Sequence, residues 1–309
     1  MIRLWHTAIA FAAAMLCVGQ VQARELSVGP GQRLKTPSAA AAVAAEGDTV
    51  KIAPGTYVDC AIWTAPRLTI EGTGPGVVLS GKTCAEKAIF VIEGNDVTVR
   101  GITFANATVK WHNGAGIRAA GDNLTVEHSR FVNNENGILA GGGRRSVLLV
   151  RNSEFIGNGA CTGACAHGIY AGGPIARLNV EDCIFRDTKI AHHIKSRAQS
   201  TIVRNSHIED GPNGTSSYLI DIPDGGDVLI QGNTMEKGPG TSNPSAAVSI
   251  GIESVKNQTS RIAVLDNVFR NDAPQRTIFV RNSTAAPVTM ERNAIAGDVE
   301  PLVNRSQAE

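Results

Sequence analysis

VRNSEF, Val150–Phe155, is one of eight related hexapeptides in a chain of 309 residues. The others are VRGITF (Val99–Phe104), VEHSRF (Val126–Phe131), VEDCIF (Val180–Phe185), VRNSHI (Val203–Ile208), IQGNTM (Ile230–Met235), VLDNVF (Val264–Phe269) and MERNAI (Met290–Ile295). Each runs from an apolar residue through polar positions and a small or amide residue to a closing Phe, Ile or Met. Successive copies start 27, 24, 30, 23, 27, 34 and 26 residues apart. A motif of constant length at a drifting interval means that the strands are conserved and the loops between them are not.

Units of this size, with short period-2 strands and Gly/Asn turns, suit the coils of a parallel β-helix. Stacked coils place equivalent side chains in columns, apolar inside and Asn or Ser at the turns, where they satisfy backbone groups. A β-sandwich is the competing all-β reading, but two-residue NG hairpins do not link the strands regularly. We therefore expect an all-β, right-handed parallel β-helix of about nine to ten coils, a single domain over residues 24–309.

The N-terminal side fits. In TPSAAAAVAAEGDTV (Thr36–Val50) Thr36 is an N-cap, Pro37 takes the first helical position and Gly47 lies past the end. A capping helix over about 37–46 would cover the open end of the stack. Residues 1–23 read as a signal peptide: Arg3, the apolar Ala8–Val18 run, and VQA before Arg24. The run is too short to span a bilayer, so no membrane insertion is expected after processing, and the location is periplasmic or secreted. A lipoprotein anchor at Cys17 is disfavoured by Leu16. Removing Arg3 leaves 29 − 1 = 28 basic residues against 28 acidic ones, which offers no field for nucleic acid. We expect a monomer.

Five of the six cysteines lie beyond that segment. Export permits disulfides. We favour Cys60–Cys84 and Cys161–Cys165, with Cys183 buried. The alternative is a zinc site from Cys161, Cys165, His167 and Cys183, which lacks the close CxxC spacing.

The capping segment PSAAAAVAAEGDTVKIAPGTY (Pro37–Tyr57), together with the coil repeats, resembles the right-handed parallel β-helix proteins of the pectin-lyase-like superfamily. That resemblance covers essentially the whole chain after residue 23. It implies a carbohydrate-active protein, with lyases, hydrolases, epimerases and non-catalytic members all in range.

Alignment of the coils isolates one outward column. NGILAGG (Asn136–Gly142), HGIYAGG (His167–Gly173), HHIKSRA (His192–Ala198) and YLIDIPD (Tyr218–Asp224) share a third-position isoleucine: Ile138, Ile169, Ile194 and Ile220. These precede the next hexapeptide by 12, 11, 9 and 10 residues, so they should stack inward and turn Leu139, Tyr170, Lys195 and Asp221 outward. Arg118 extends the column on one side; Glu253 and Arg281 are looser additions on the other. His193 and Arg197 should share the face of Lys195. His167, His192 and Tyr218 make a second column.

Cations, a tyrosine and histidines beside long loops suit an acidic polysaccharide. β-Elimination at a uronate needs a cation on the carboxylate, a base for the C5 proton and an acid for the leaving oxygen. Catalysis is assigned to Lys195, His193, Tyr170 and Arg197. Lys195 is the base, its pKa lowered by neighbouring cations, or His193 takes that part; Tyr170 is the acid or a stacking platform, and Arg197 or Arg118 clamps the carboxylate. Substrate binding is assigned to Arg118, His167, His192, Tyr218, Asp221 and Asp224. No cofactor is required; calcium on DIPDGGD (Asp221–Asp227) is the weaker alternative to a plain turn. The plain alternative for the whole column is a ladder of surface charge pairs.

The segments around His167, Gly168, Ile194 and Lys195 also resemble polygalacturonase-type hydrolases. The paired aspartates needed for glycoside hydrolysis are missing, with Leu139 where a carboxylate is wanted. Resemblance to Lys/Arg lyases matches Lys195 without an arginine on the next coil. Resemblance to alginate-type C5-epimerases lacks their YG.DPH string. The leading reading is an exported lyase acting on a uronic-acid polysaccharide; the alternatives are a C5-epimerase and a non-catalytic glycan-binding β-helix.

Overall fold

The computed structural model describes residues 23–304, so the signal-peptide reading falls almost wholly outside the described residues. Three parallel sheets wind around one apolar interior. The first has eleven strands, from Glu25–Val28 to Val288–Glu291; the second has ten, from Gly55–Tyr57 to Ala294–Ala296; the third has ten, from Ala61–Trp63 to Val299–Asn304. Each coil contributes one strand to each sheet, which gives about ten turns and bears out the all-β solenoid.

The hexapeptide is the corner between the first and second sheets. Val150 lies near the end of strand Val147–Arg151 and Phe155 sits in Glu154–Ile156. The third residue of all eight copies has positive φ: Gly101 (69°), His128 (47°), Asn152 (49°), Asp182 (53°), Asn205 (51°), Gly232 (68°), Asp266 (57°) and Arg292 (53°). A left-handed residue at this point turns the strand through the corner, which explains the bias to Gly, Asn and Asp. The fourth residue then points into the turn. Asn233 N–H donates to Asn267 Oδ1 (3.0 Å) and Asn267 N–H to Asn293 Oδ1 (3.0 Å), while Asn267 Nδ2 donates to Ile230 O (3.0 Å). Ser129, Ser153 and Ser206 hold the same place in other coils.

The sixth residue builds the core. Phe104, Phe131, Phe155 and Phe185 stack at centroid spacings of 5.3, 4.7 and 4.6 Å with planes within 14°. Register continues the column through Ile208, Met235, Phe269 and Ile295. Burying each such ring contributes about 1.5–3 kcal/mol.

The helix is shorter than expected, Pro37–Ala41. Thr36 Oγ1 accepts from Ala39 N–H (3.3 Å) as the expected cap. Elongation stops because Val43 N–H bonds back to Ala40 O and Ala45 N–H is taken by Asp48 Oδ2 (2.9 Å). Pro37 and Ala40 are buried, so even this single turn packs on the first coils.

Both favoured disulfides form, Cys60–Cys84 and Cys161–Cys165. The second closes the hairpin Ala160–Thr162/Ala164–Ala166. Cys183 is buried at a corner, its Sγ 3.2 Å from Glu181 O, and burial pushes its thiol up to about 12. With two of its ligands joined to each other and the third in the corner between the first and second sheets, the zinc alternative is closed. No described helix is long and apolar enough to cross a membrane.

Candidate active site

The third sheet carries the column. Registers pair Ile138 with Ile169, Ile169 with Ile194 and Ile194 with Ile220, all fully buried. The outward neighbours pair as Arg118–Leu139, Leu139–Tyr170, Tyr170–Lys195 and Lys195–Asp221. On the next coils the column continues through Ser249 and Arg281. Glu253 is therefore not in the column. It arrives from the segment after strand Ala246–Ile250 and reaches the same cleft from above.

That arrival changes the environment of Lys195. It projects from the outer face but is only 8% exposed. Its Nζ lies 3.0 Å from Asp221 Oδ2 and 2.7 Å from Glu253 Oε1. Burial alone would lower the lysine pKa, but the two carboxylates outweigh it and the pKa is raised. The expectation of a lysine poised by neighbouring cations is overturned, because anions and not cations crowd it. Burial pushes the Asp221 carboxyl up to about 6 against the pull of Lys195.

Arg197, two residues on, gathers the rest. Nε donates to the Tyr170 phenol oxygen (3.1 Å), Nη1 to Asp224 Oδ1 (2.7 Å) and Nη2 to Glu253 Oε2. Ser254 Oγ also donates to Asp224 (2.6 Å). Despite the desolvation, Glu253 is held down to about 2 by Lys195 and Arg197. Asp221 and Asp224 thus each face a cation, and among the described residues no three His, Cys, Asp or Glu side chains are grouped to hold a metal ion.

His167, His192 and Tyr218 stack as a second column, at 4.9 and 5.2 Å. Backbone groups fix the tautomers: His192 N–H donates to His167 Nδ1 (3.2 Å), and Tyr218 N–H to His192 Nδ1 (3.1 Å). A ring nitrogen that accepts carries no proton, so both rings are protonated at Nε2. His192 Nε2 faces Asp221 Oδ2 at 3.4 Å. Burial drives His192 down to about 3 and His167 well below the usual histidine range. They serve as neutral spacers whose rings and ring nitrogens organise the turn.

His193 does not share the face of Lys195. Positive φ at Ile190 (33°) and Ala191 (75°) interrupts the alternation, and the side chain is fully buried. Its Nδ1 lies 2.8 Å from Thr188 Oγ1 and its Nε2 3.0 Å from Asp210 Oδ1. Lys237 is equally buried, donates to Ser217 O, and is pushed down to about 8 by desolvation. This internal network is reached by no solvent-side column, and nothing in the repeat marked Asp210 or Lys237.

Two depressions adjoin at Gly172 and Gly173. One, of about 380 Å³, is bounded by Arg118, Leu139, Tyr170 and the disulfide hairpin at Ala164 and Cys165. The other, of about 420 Å³, is bounded by Arg197, Asp224, Glu253, Arg144 and Lys256. No ion pair engages Arg118, Arg144 or Lys256 among the described residues. Arg144 and Lys256 come from loops that the repeat does not index, and their charge was the sole signal.

A family model described as "Right handed beta helix region" matches residues 150–300. No curated protein matches the chain. Among solved structures, an alginate lyase from Paenibacillus sp. str. FPU-7 aligns at 17% identity over 90% of this chain and 99% of its own, with a TM-score of 0.55. Pectin methylesterase PemA from Erwinia chrysanthemi aligns at 14% identity over 68% of this chain and 78% of its own, with a TM-score of 0.50. The chain is a right-handed parallel β-helix protein. At these identities the likeness establishes the fold.

Proposed function

We propose that the protein is an exported lyase that cleaves a uronic-acid polysaccharide by β-elimination in the cleft around Tyr170, Lys195 and Arg197. The observation that carries this reading is the contact of Arg197 Nε with the Tyr170 phenol oxygen, beside a lysine that holds its proton. Lys195 and Arg197 neutralise the uronate carboxylate, so that negative charge gathering at C5 is stabilised. Tyr170 reaches the cleft partly exposed. As phenolate, steadied by the guanidinium, it takes the C5 proton; as phenol it returns that proton to the departing glycosidic oxygen as the C4–O bond breaks. Arg118 on one side, and Arg144 with Lys256 on the other, bind flanking uronates. Two disulfides fit a location outside the cytoplasm.

A second reading, a non-catalytic glycan binder, is favoured by one observation: both central cations are already neutralised by carboxylates. The two separate on incubation with alginate, pectate and glycosaminoglycans. Elimination leaves an unsaturated sugar whose ultraviolet absorbance rises with time, and Tyr170→Phe should abolish that rise. Binding without any absorbance gain supports the second reading. Neither binding nor absorbance removes both.

A further inference from the structure

The segment 251–260, which joins the third-sheet strand Ala246–Ile250 to the first-sheet strand Ile262–Leu265, is a strap whose backbone is pinned beyond the ends of earlier third-sheet strands. Glu253 N–H and Ser254 N–H donate to Pro223 O (3.2 and 3.0 Å), and Asn257 N–H to Asp224 O (3.1 Å). Asn257 Nδ2 adds bonds to Arg197 O (3.2 Å) and Ala198 O (3.1 Å). From this fixed strap the Glu253 side chain reaches down and divides its oxygens between two cations, Oε1 on Lys195 and Oε2 on Arg197.

Neither cation depends on it. Lys195 retains Asp221, and Arg197 retains Asp224 and Tyr170. The carboxylate is also the accessible member of the group: the Glu253 side chain is 46% exposed, against 11% for Lys195 and 21% for Arg197. A carboxylate that enters from solvent onto two preplaced cations has the form of a bound ligand. An exposed ion pair of this kind adds little to stability.

The geometry points to a carboxylate subsite made by Lys195 and Arg197, with Glu253 as its tethered and displaceable occupant. The external ligand is a sugar carboxylate, which rests on the uronate reading above. Rotation of the Glu253 side chain, with the strap in place, opens the subsite. A tethered competitor at high effective concentration weakens an incoming carboxylate by about tenfold or more. A neutral sugar, which cannot take over the two cations, gains nothing from the exchange.

The test uses the full chain and its Glu253→Ala variant, each in a Tyr170→Phe background that prevents turnover. Calorimetric titration with trimers of galacturonate, mannuronate and guluronate should show at least one binding about tenfold more tightly to the Glu253→Ala protein. Maltotriose should show no such gain. Independently, sodium acetate compared with sodium chloride at equal ionic strength should raise the melting temperature of the Glu253→Ala protein by about 1–2 °C and leave the parent unchanged. Unchanged or weaker uronate binding in the variant overturns the inference, as does acetate acting on both proteins alike or on neither. If both results hold while Tyr170-intact protein releases no absorbing product, the lyase reading fails and the subsite stands. Product without any effect of Glu253→Ala is the converse.

Discussion

Asp221 places Oδ2 3.0 Å from Lys195 Nζ, while its other oxygen, Oδ1, is buried with no hydrogen-bond partner. One carboxylate is thus half satisfied, and this sets how the site responds to pH. Its pKa of about 6 lies above the unfolded value of 3.8. A raised carboxyl stabilises the fold fully below pH 4, and that contribution is lost as pH rises through 6. Relative to wild type, Asp221→Asn should therefore gain up to about 3 kcal/mol of stability between pH 4 and pH 7. Urea titrations at the two pH values check this; a difference independent of pH contradicts it.

Lys195→Ala leaves that carboxylate without its cation. Strand alternation turns Lys195 outward, and an outward side chain is ordinarily removable with the fold intact. The structure instead calls for a loss of about 3 kcal/mol at pH 8, because an unpaired buried charge remains. At pH 5, where Asp221 takes a proton, the loss should be smaller. Chemical denaturation across this range reads the difference, and Lys195→Met, which keeps the stem packed, should show the same pH trend.

Tyr170→Phe retains the ring against His167, whose centroid lies 5.0 Å away, and removes the phenol oxygen. We expect a melting temperature close to wild type and a rate of unsaturated-product release lower by about 10²–10⁴-fold, the range of a lost proton-transfer group. A residual rate within threefold of wild type would move proton transfer to another residue.

Phe155 packs between Phe131 and Phe185. Phe155→Ala should cost about 3–5 kcal/mol, since neighbouring coils hold the cavity open. Phe155→Leu should recover most of it. Urea midpoints order the three proteins.

Asn267→Ala removes a side chain that bonds both adjoining coils, to Asn233 on one side and Asn293 on the other. The unpaired Asn233 N–H makes the loss exceed a simple side-chain truncation, about 2 kcal/mol or more. Amide exchange should speed up at Asn233 first, with little change at Phe104.

The corner was legible because its physics repeats. A left-handed third residue, an amide or hydroxyl fourth and an apolar sixth recur wherever the chain turns from the first sheet into the second, so spacing alone aligned Ile194 with Ile220. The same alignment brought Tyr170, Lys195, Arg197, Asp221, His167, His192 and Tyr218 to one face. It failed where the chain leaves the repeat. His193 follows two left-handed residues that break the strand alternation, and it turns inside. Glu253 comes in on a connecting strap whose length no period fixes, and it reverses the expected electrostatics of Lys195. Arg144 and Lys256 reach the cleft from loops for the same reason.

The hairpin bridged by Cys161 and Cys165 forms one wall of the depression at Arg118. The shape of that wall is consequently a redox variable. Where thiols stay reduced, the Ala160–Thr162/Ala164–Ala166 hairpin loses that cross-link and keeps only its backbone ladder.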